Sequence, residues 1–221
     1  MPTVQGVVAA AARALLGDTV RVVGASRTDA GVHALRQVAS LATDSALDAA
    51  SVGRALNATL PPDVRVRTVE EAADAFDARR RATGKRYAYL VDAASVAAPL
   101  LRRYAWHVPR PLDLDAMRAG LAAVLGAHDF SAFCASAGRD AMPVCHVRAI
   151  HVLRRKSYVA VVISADRFLH HMVRNLVGSA LTVGRGAREP AWIAGVLSSR
   201  DRRLAGVTAP AHGLTLVRVL Y

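Results

Sequence analysis

Ile150-His151-Val152-Leu153-Arg154-Arg155-Lys156-Ser157-Tyr158-Val159-Ala160-Val161-Val162-Ile163-Ser164 reads as two extended runs joined by a basic turn. β-branched and apolar residues crowd both runs, and Arg154-Arg155-Lys156 interrupts them, which predicts an antiparallel hairpin. The next segment changes period. Leu169, Met172, Val173, Leu176, Val177 and Ala180 recur at i, i+3, i+4 and i+7 spacing, the apolar stripe of a helix. A hairpin running straight into a helix points to an α+β fold with antiparallel sheets rather than to a doubly wound parallel sheet.

The rest of the chain fits that class. Pro190 starts a short helix, and residues 213–221 close the chain as a strand. Upstream, Asp113 can cap a helix that buries Leu114, Met117, Leu121, Val124 and Leu125 and ends at Gly126. The small and proline-rich stretch 93–111 is the best boundary, dividing the chain into 1–103 and 104–221. Lys85, Tyr87, Tyr89 and Val91 share one face of a strand after Gly84. Val64-Arg65-Val66-Arg67 alternates and predicts a strand with an arginine-bearing face. Residues 47–56 look helical up to the Pro61-Pro62 break, and 20–23 and 32–41 look extended around a turn-rich 24–31. Thr3 caps a first helix with Val4, Val7, Val8, Ala11 and Leu15 on one face and Gly17 as its stop.

With 53% hydrophobic and 21% charged residues, the chain has the apolar surface to repay ordering entropy, which excludes intrinsic disorder. The longest uncharged stretch, 204–217, is interrupted by Pro210, His212 and glycines and falls short of the roughly 18 apolar residues of a membrane span. Two cysteines, Cys134 and Cys145, do not make a disulfide framework, and the cytoplasm is the expected compartment. Charge is the strongest bulk signal. The net charge is +12, and Lys85 and Lys156 are the only lysines among 29 basic residues. Arginine pairs with phosphate and stacks on bases, so this excess favours a polyanionic partner. A base-composition bias explains the Arg-to-Lys ratio but not the surplus of charge.

Four segments are candidates for chemistry. In Ser26-Arg27-Thr28-Asp29-Ala30-Gly31-Val32-His33 a carboxylate sits in a glycine-bounded turn between cations. It is either an exposed reactive acid or an Asx turn capping its own backbone. Arg79, Arg80, Arg81, Lys85 and Arg86 lead into Tyr87 and Tyr89, a pattern suited to nucleic-acid backbone and bases, or else a solvated charge run before a core strand. His170, His171 and Arg174 flank their helix's apolar stripe, where they cover a phosphate, pair with a distant acid, or simply meet solvent. Cys134, Cys145, His146 and His151 suggest a metal, but the spacing lacks the close ligand pair of zinc modules. No P-loop, G-x-G-x-x-G after a strand, H-E-x-x-H or G-x-S-x-G motif occurs.

In order along the chain, these segments resemble the tRNA pseudouridine synthase A family. The resemblance is carried by Thr3-Val4-Gln5-Gly6, Arg27-Thr28-Asp29-Ala30-Gly31-Val32-His33-Ala34, Phe76-Asp77-Ala78-Arg79 and Lys85-Arg86-Tyr87-Ala88-Tyr89. It continues through His128-Asp129-Phe130-Ser131-Ala132-Phe133, Phe168-Leu169-His170-His171-Met172-Val173-Arg174-Asn175 and Ala209-Pro210-Ala211-His212-Gly213-Leu214. Two departures stand out. Ser26 lies where a glycine is more usual, and the family's opening strand with its Asp-Gly-Thr…Gly-Trp-Gln segment does not precede Thr3. The second implies either a start set too late or a lost edge strand.

The resemblance implies a pseudouridine synthase fold of two α/β halves with mostly antiparallel sheets, flanking a basic central cleft. The first half would carry the catalytic loop and the second would complete the site. It implies isomerisation of uridine to pseudouridine at positions 38 to 40 of the tRNA anticodon stem-loop, by a homodimer with no metal or organic cofactor. Asp29 would be the essential carboxylate and Arg174 its partner. Tyr87 would stack on the target base, Arg27 would hold that base out of its stack, and Leu214 would line the pocket wall. Arg79 and His170 would contact the RNA. A non-catalytic RNA-binding protein is the alternative reading.

Overall fold

The computed structural model describes residues 3–135 and 142–221. Residues up to Arg27 together with Gln37–Ala82 form one compact unit, and Thr28–Arg36 together with Thr83–Tyr221 form a second. This division does not follow the expected boundary at 103/104. The strand at 84–92 is the reason: it lies between two later strands of the chain and belongs to their sheet.

In the first unit, α1 (Val4–Leu16) begins where the Thr3 hydroxyl accepts the Gly6 amide at 3.0 Å and ends at Gly17. α2 (Ala49–Thr59) begins in the same way, with the Asp48 carboxylate accepting from Ser51 N at 2.8 Å. Each cap satisfies amides that the helix leaves orphaned, stabilising it by about 1 kcal/mol. Ala12, Val20, Val22, Val52, Leu56 and Leu60 form the buried core of this unit. Of the extended runs expected at 20–23 and 32–41, this unit keeps a short antiparallel pair, β1 (Val23–Gly24) with β3 (Ala39–Ser40), while residues 33–34 form a strand of the second unit.

Residues 64–67 form no strand. The backbone of Val66 is bonded at both ends by one side chain, Asn57, whose amide donates to Val66 O at 2.7 Å and accepts from Val66 N at 2.9 Å. Val64 and Val66 still pack against the core, so the alternation reports which residues face inward without a partner strand.

The second unit is built on a seven-stranded sheet. Its members are β2 (His33–Ala34), β4 (Gly84–Asp92), β5 (Trp106–His107), β6 (Gly126–Asp129), β7 (Val144–Arg155), β8 (Tyr158–Ala165) and β9 (Leu214–Leu220). The order is β2-β9-β4-β8-β7-β6, with β5 pairing β4. Most pairs are antiparallel, and the β2/β9 and β4/β5 pairs are parallel. The β7–β8 hairpin turns tightly, with Arg155 opposite Tyr158 and Lys156 at φ 55°.

α3 (Leu114–Ala122), α4 (Met172–Gly184) and α5 (Ala191–Ser199) complete the unit. Met117, Leu121, Met172, Leu176, Leu181 and Ile193 are all fully buried among them. Pairing of α4 with the rest is unusually close. A Cβ added at Gly178 would lie 1.7 Å from the Val207 carbonyl, so only glycine lets the 206–208 segment lie against the helix. Among the described residues, no helix is long and apolar enough to cross a membrane.

Candidate active site

Asp29 opens a turn that its sequence dictates. Val32 N donates to Asp29 O at 3.0 Å, and Gly31, at φ 82°, takes the conformation that side chains disfavour. The chain then enters β2, where His33 pairs with Thr215 and Ala34 with Leu216, and Leu35 N donates to Leu216 O at 2.9 Å. The acid is thus held three residues before a strand fixed to β9. Its carboxylate does not cap its own turn. Among the described residues its partners come from the start of α4: Arg174 Nη1 at 3.1 Å, His171 Nε2 at 3.2 Å and His170 Nε2 at 3.5 Å. The Asx-turn reading of this segment is therefore set aside.

The apolar pattern explains why both histidines face the acid. Leu169 and Met172 are buried, and the turn between them closes with Met172 N donating to Leu169 O at 3.1 Å. The two intervening side chains are left on the opposite side. Ala135 N fixes the His170 carbonyl at 3.0 Å, and His171 takes a left-handed φ of 62° ahead of the helix. A non-glycine residue held there costs on the order of 1–3 kcal/mol, which the surrounding bonds must offset. The imidazole rings lie 3.9 Å apart. Burial holds the His171 imidazole below its ordinary value, outweighing the opposing pull of Asp29.

Arg174 is fixed at two points. Its Nε donates to Ala209 O at 2.7 Å while Nη1 reaches Asp29, and Ala209 N returns a bond to Arg174 O at 3.2 Å. The segment carrying Ala209 is tied to α4 by a buried network. Asn175 Oδ1 accepts from Arg202 Nη2 at 2.9 Å and from Thr208 Oγ1 at 2.7 Å, while Asn175 Nδ2 donates to Phe133 O at 2.6 Å. The Ser179 hydroxyl accepts from Gly206 N at 2.9 Å. Nothing in the sequence pointed to this network; His171 was a candidate only within the basic trio with His170 and Arg174, and the resemblance gave a role to His170 and none to His171. The available signal was the Leu169-x-x-Met172 burial pair, which sends both histidines the same way.

The other expected site residues fall into two groups. Tyr87 is buried on β4 with its ring edge-on to Phe168 at 5.1 Å, and Leu214 is buried at the start of β9. Tyr89, on the same strand face, is a core tyrosine whose hydroxyl donates to Pro210 O at 2.8 Å. Burial pushes its phenol pKa up. Arg27 and Arg79 belong to the first unit, where both are exposed. Cys134 and Cys145 are buried free thiols. Among the described residues they join no cluster of metal-ligating side chains with His146 or His151.

An acid that is 29% exposed and 3.1 Å from a guanidinium itself bonded to a backbone carbonyl is an arrangement suited to acid–base or nucleophilic chemistry. A family model described as tRNA pseudouridine synthase matches residues 1–79 and 121–221. The tRNA pseudouridine synthase A of Myxococcus xanthus is 43% identical over 221 residues, covering 100% of this chain and 83% of that protein. That of Thermoanaerobacter sp. (strain X514) is 37% identical over 219 residues, covering 99% and 90%. That of Chloroflexus aurantiacus (strain ATCC 29366 / DSM 635 / J-10-fl) is 43% identical over 226 residues, covering 99% and 80%. The chain belongs to the tRNA pseudouridine synthase family, whose members are isomerases.

Proposed function

We propose that this chain isomerises uridine to pseudouridine at positions 38 to 40 of the tRNA anticodon stem-loop, as a cytoplasmic homodimer, with Asp29 as the essential carboxylate. Relatives carrying the name tRNA pseudouridine synthase A over nearly the whole chain support the reaction class. The contact between Asp29 and Arg174 carries the assignment of the acid. The net +12 charge suits a polyanionic substrate.

The reaction breaks the bond from ribose C1′ to uracil N1, turns the base, and joins C1′ to C5. N1 gains a proton and C5 loses one, so composition is unchanged and no oxidant or co-reactant enters. What the chemistry requires is an anionic group near the sugar or ring, a rigid stacking surface, and a means of holding the base out of its helix. Asp29 supplies the first, whether by attack on C1′, by addition to the ring, or along a glycal route. Arg174 keeps it aimed through a charge-assisted bond. Tyr87 stacks on the base and assists removal of the C5 proton, with Leu214 as the apolar wall. Arg27 keeps the base extruded, and Arg79 and His170 contact the RNA.

Asp29→Asn conserves shape and removes the charge. Pseudouridine mapping of tRNA from cells relying on this variant is expected to show loss of the modification in the anticodon arm. Unchanged modification would remove Asp29 from its role. Salt-sensitive tRNA binding by the wild-type chain with no isomerisation would give the non-catalytic reading instead.

A further inference from the structure

We infer that Asp29, His170 and His171 form an inhibitory binding site for a transition-metal dication of the zinc class. One ligand atom from each of these residues lies within 4.8 Å of the other two. His170 Nε2 is 3.5 Å from Asp29 Oδ1, and His171 Nε2 is 3.2 Å from Asp29 Oδ2. Tetrahedral Zn²⁺ with bonds near 2.0–2.1 Å spaces its ligands by about 3.3 Å, and each imidazole already lies near that distance from one carboxylate oxygen, His170 from Oδ1 and His171 from Oδ2. Bringing both imidazoles onto one oxygen takes a rotation of the Asp29 carboxyl or a shift of His170, whose side chain is 50% exposed, while His171 is held by its backbone. Two imidazoles and a carboxylate are donors that favour zinc, cobalt or copper over magnesium or calcium.

The site has a built-in opponent. Arg174 sits 3.1 Å from Asp29 Oδ2 and repels a dication bound to the same carboxylate. With charges of two and one about 5 Å apart, even water-like screening weakens metal binding by about tenfold. The cluster is therefore a moderate site that a metal enters only by competing with the ion pair. Occupancy withdraws Asp29 from the substrate, so inhibition follows if Asp29 acts as proposed above; binding itself does not depend on that reading.

The test uses Co²⁺ alone, titrated into the full chain in buffer without chelator and followed by its visible absorption. One Co²⁺ per chain is expected, with a spectrum of nitrogen and oxygen ligation, no thiolate charge-transfer band, and displacement by Zn²⁺. His170→Ala, His171→Ala and Asp29→Asn should each weaken binding at least tenfold while keeping the wild-type circular dichroism. Arg174→Ala should tighten it about tenfold, the opposite of its effect on turnover. Zn²⁺ should inhibit wild-type pseudouridine formation over the same concentration range as it binds, and a chelator should restore activity. An active enzyme with no saturable cobalt band, or binding indifferent to His170→Ala, overturns the site and leaves the enzymatic reading intact. A chain that binds cobalt as described but never isomerises uridine keeps the site and sinks the enzymatic reading. Equal zinc inhibition of wild type and His170→Ala would place the metal on the RNA and overturn inhibition through this cluster.

Discussion

Replacing Arg174 by lysine separates the charge of this residue from its geometry. The guanidinium uses Nε for the Ala209 carbonyl at 2.7 Å and Nη1 for Asp29 at 3.1 Å. An ammonium is a single point donor on a flexible stem and cannot reproduce that fork. Arg174→Lys therefore loses one charge-assisted bond, worth about 1.5–3 kcal/mol. At about 1.4 kcal/mol per decade of rate, the loss spans roughly 10- to 150-fold in kcat/KM. The side chain of Asp29 keeps 29% exposure, so water replaces part of the lost bond and the expected value lies toward the lower end. Arg174→Ala removes both bonds and should cost about 10²- to 10³-fold, on the order of 3–4 kcal/mol. Because C5 gives up its proton, tritium released from tRNA labelled at uridine C5 reports turnover under single-turnover conditions, and filter binding reports tRNA affinity. Affinity for tRNA is expected to stay within a few-fold of wild type in both variants. Full turnover with lysine, or a fall in affinity by the same factor as turnover, would refute the positioning role of Arg174.

Two further outcomes follow from the surroundings of the ion pair. Asn175 is fully buried, and Asn175→Ala strands the Phe133 carbonyl and removes the acceptor shared by Thr208 and Arg202, which keep only their 2.9 Å bond to each other, a loss of about 3–5 kcal/mol that should lower Tm by about 10 °C in calorimetry. An unchanged Tm would show that the 205–209 segment is not anchored through this residue. For His171, the folded imidazole titrates below the ordinary value while the unfolded one titrates near 6.5, so the unfolded chain holds more protons as pH falls through that window. Stability from this residue is then present above about pH 6.5 and declines below it, and His171→Asn should flatten that part of a urea-unfolding profile across pH 5 to 8. A profile identical to wild type would mean that burial of His171 does not set the slope.

Local signals carried much of the fold into view, and non-local ones did not. Thr3, Gly17 and Asp113 mark helix ends because capping is settled within three or four residues. The β7–β8 hairpin was legible for the same reason, its turn and both strands lying within one short window. Val64 to Arg67 misled because alternation records burial, and a single side chain, Asn57, does the work a neighbouring strand would do. The unit boundary was hidden because β4 finds β8 and β9 only after long excursions of the chain, and composition carries no record of such pairings.

The site divides along the same line. Both members of the ion pair were visible as residue types in suitable motifs, but they lie 145 positions apart, and nothing local says which oxygen meets which nitrogen. What brings them together is a chain of steric permissions and satisfied polar groups. Gly178 lets 206–208 lie on α4, Asn175 and Ser179 hold that segment, and its Ala209 carbonyl fixes the guanidinium that meets Asp29. Each link is a small or uncharged residue that a search for reactive side chains passes over. The contact of Asp29 with Arg174 is thus set as much by the residues that position Arg174 as by the pair itself, and under the role proposed for Asp29, substitutions among them should reach the chemistry without touching substrate.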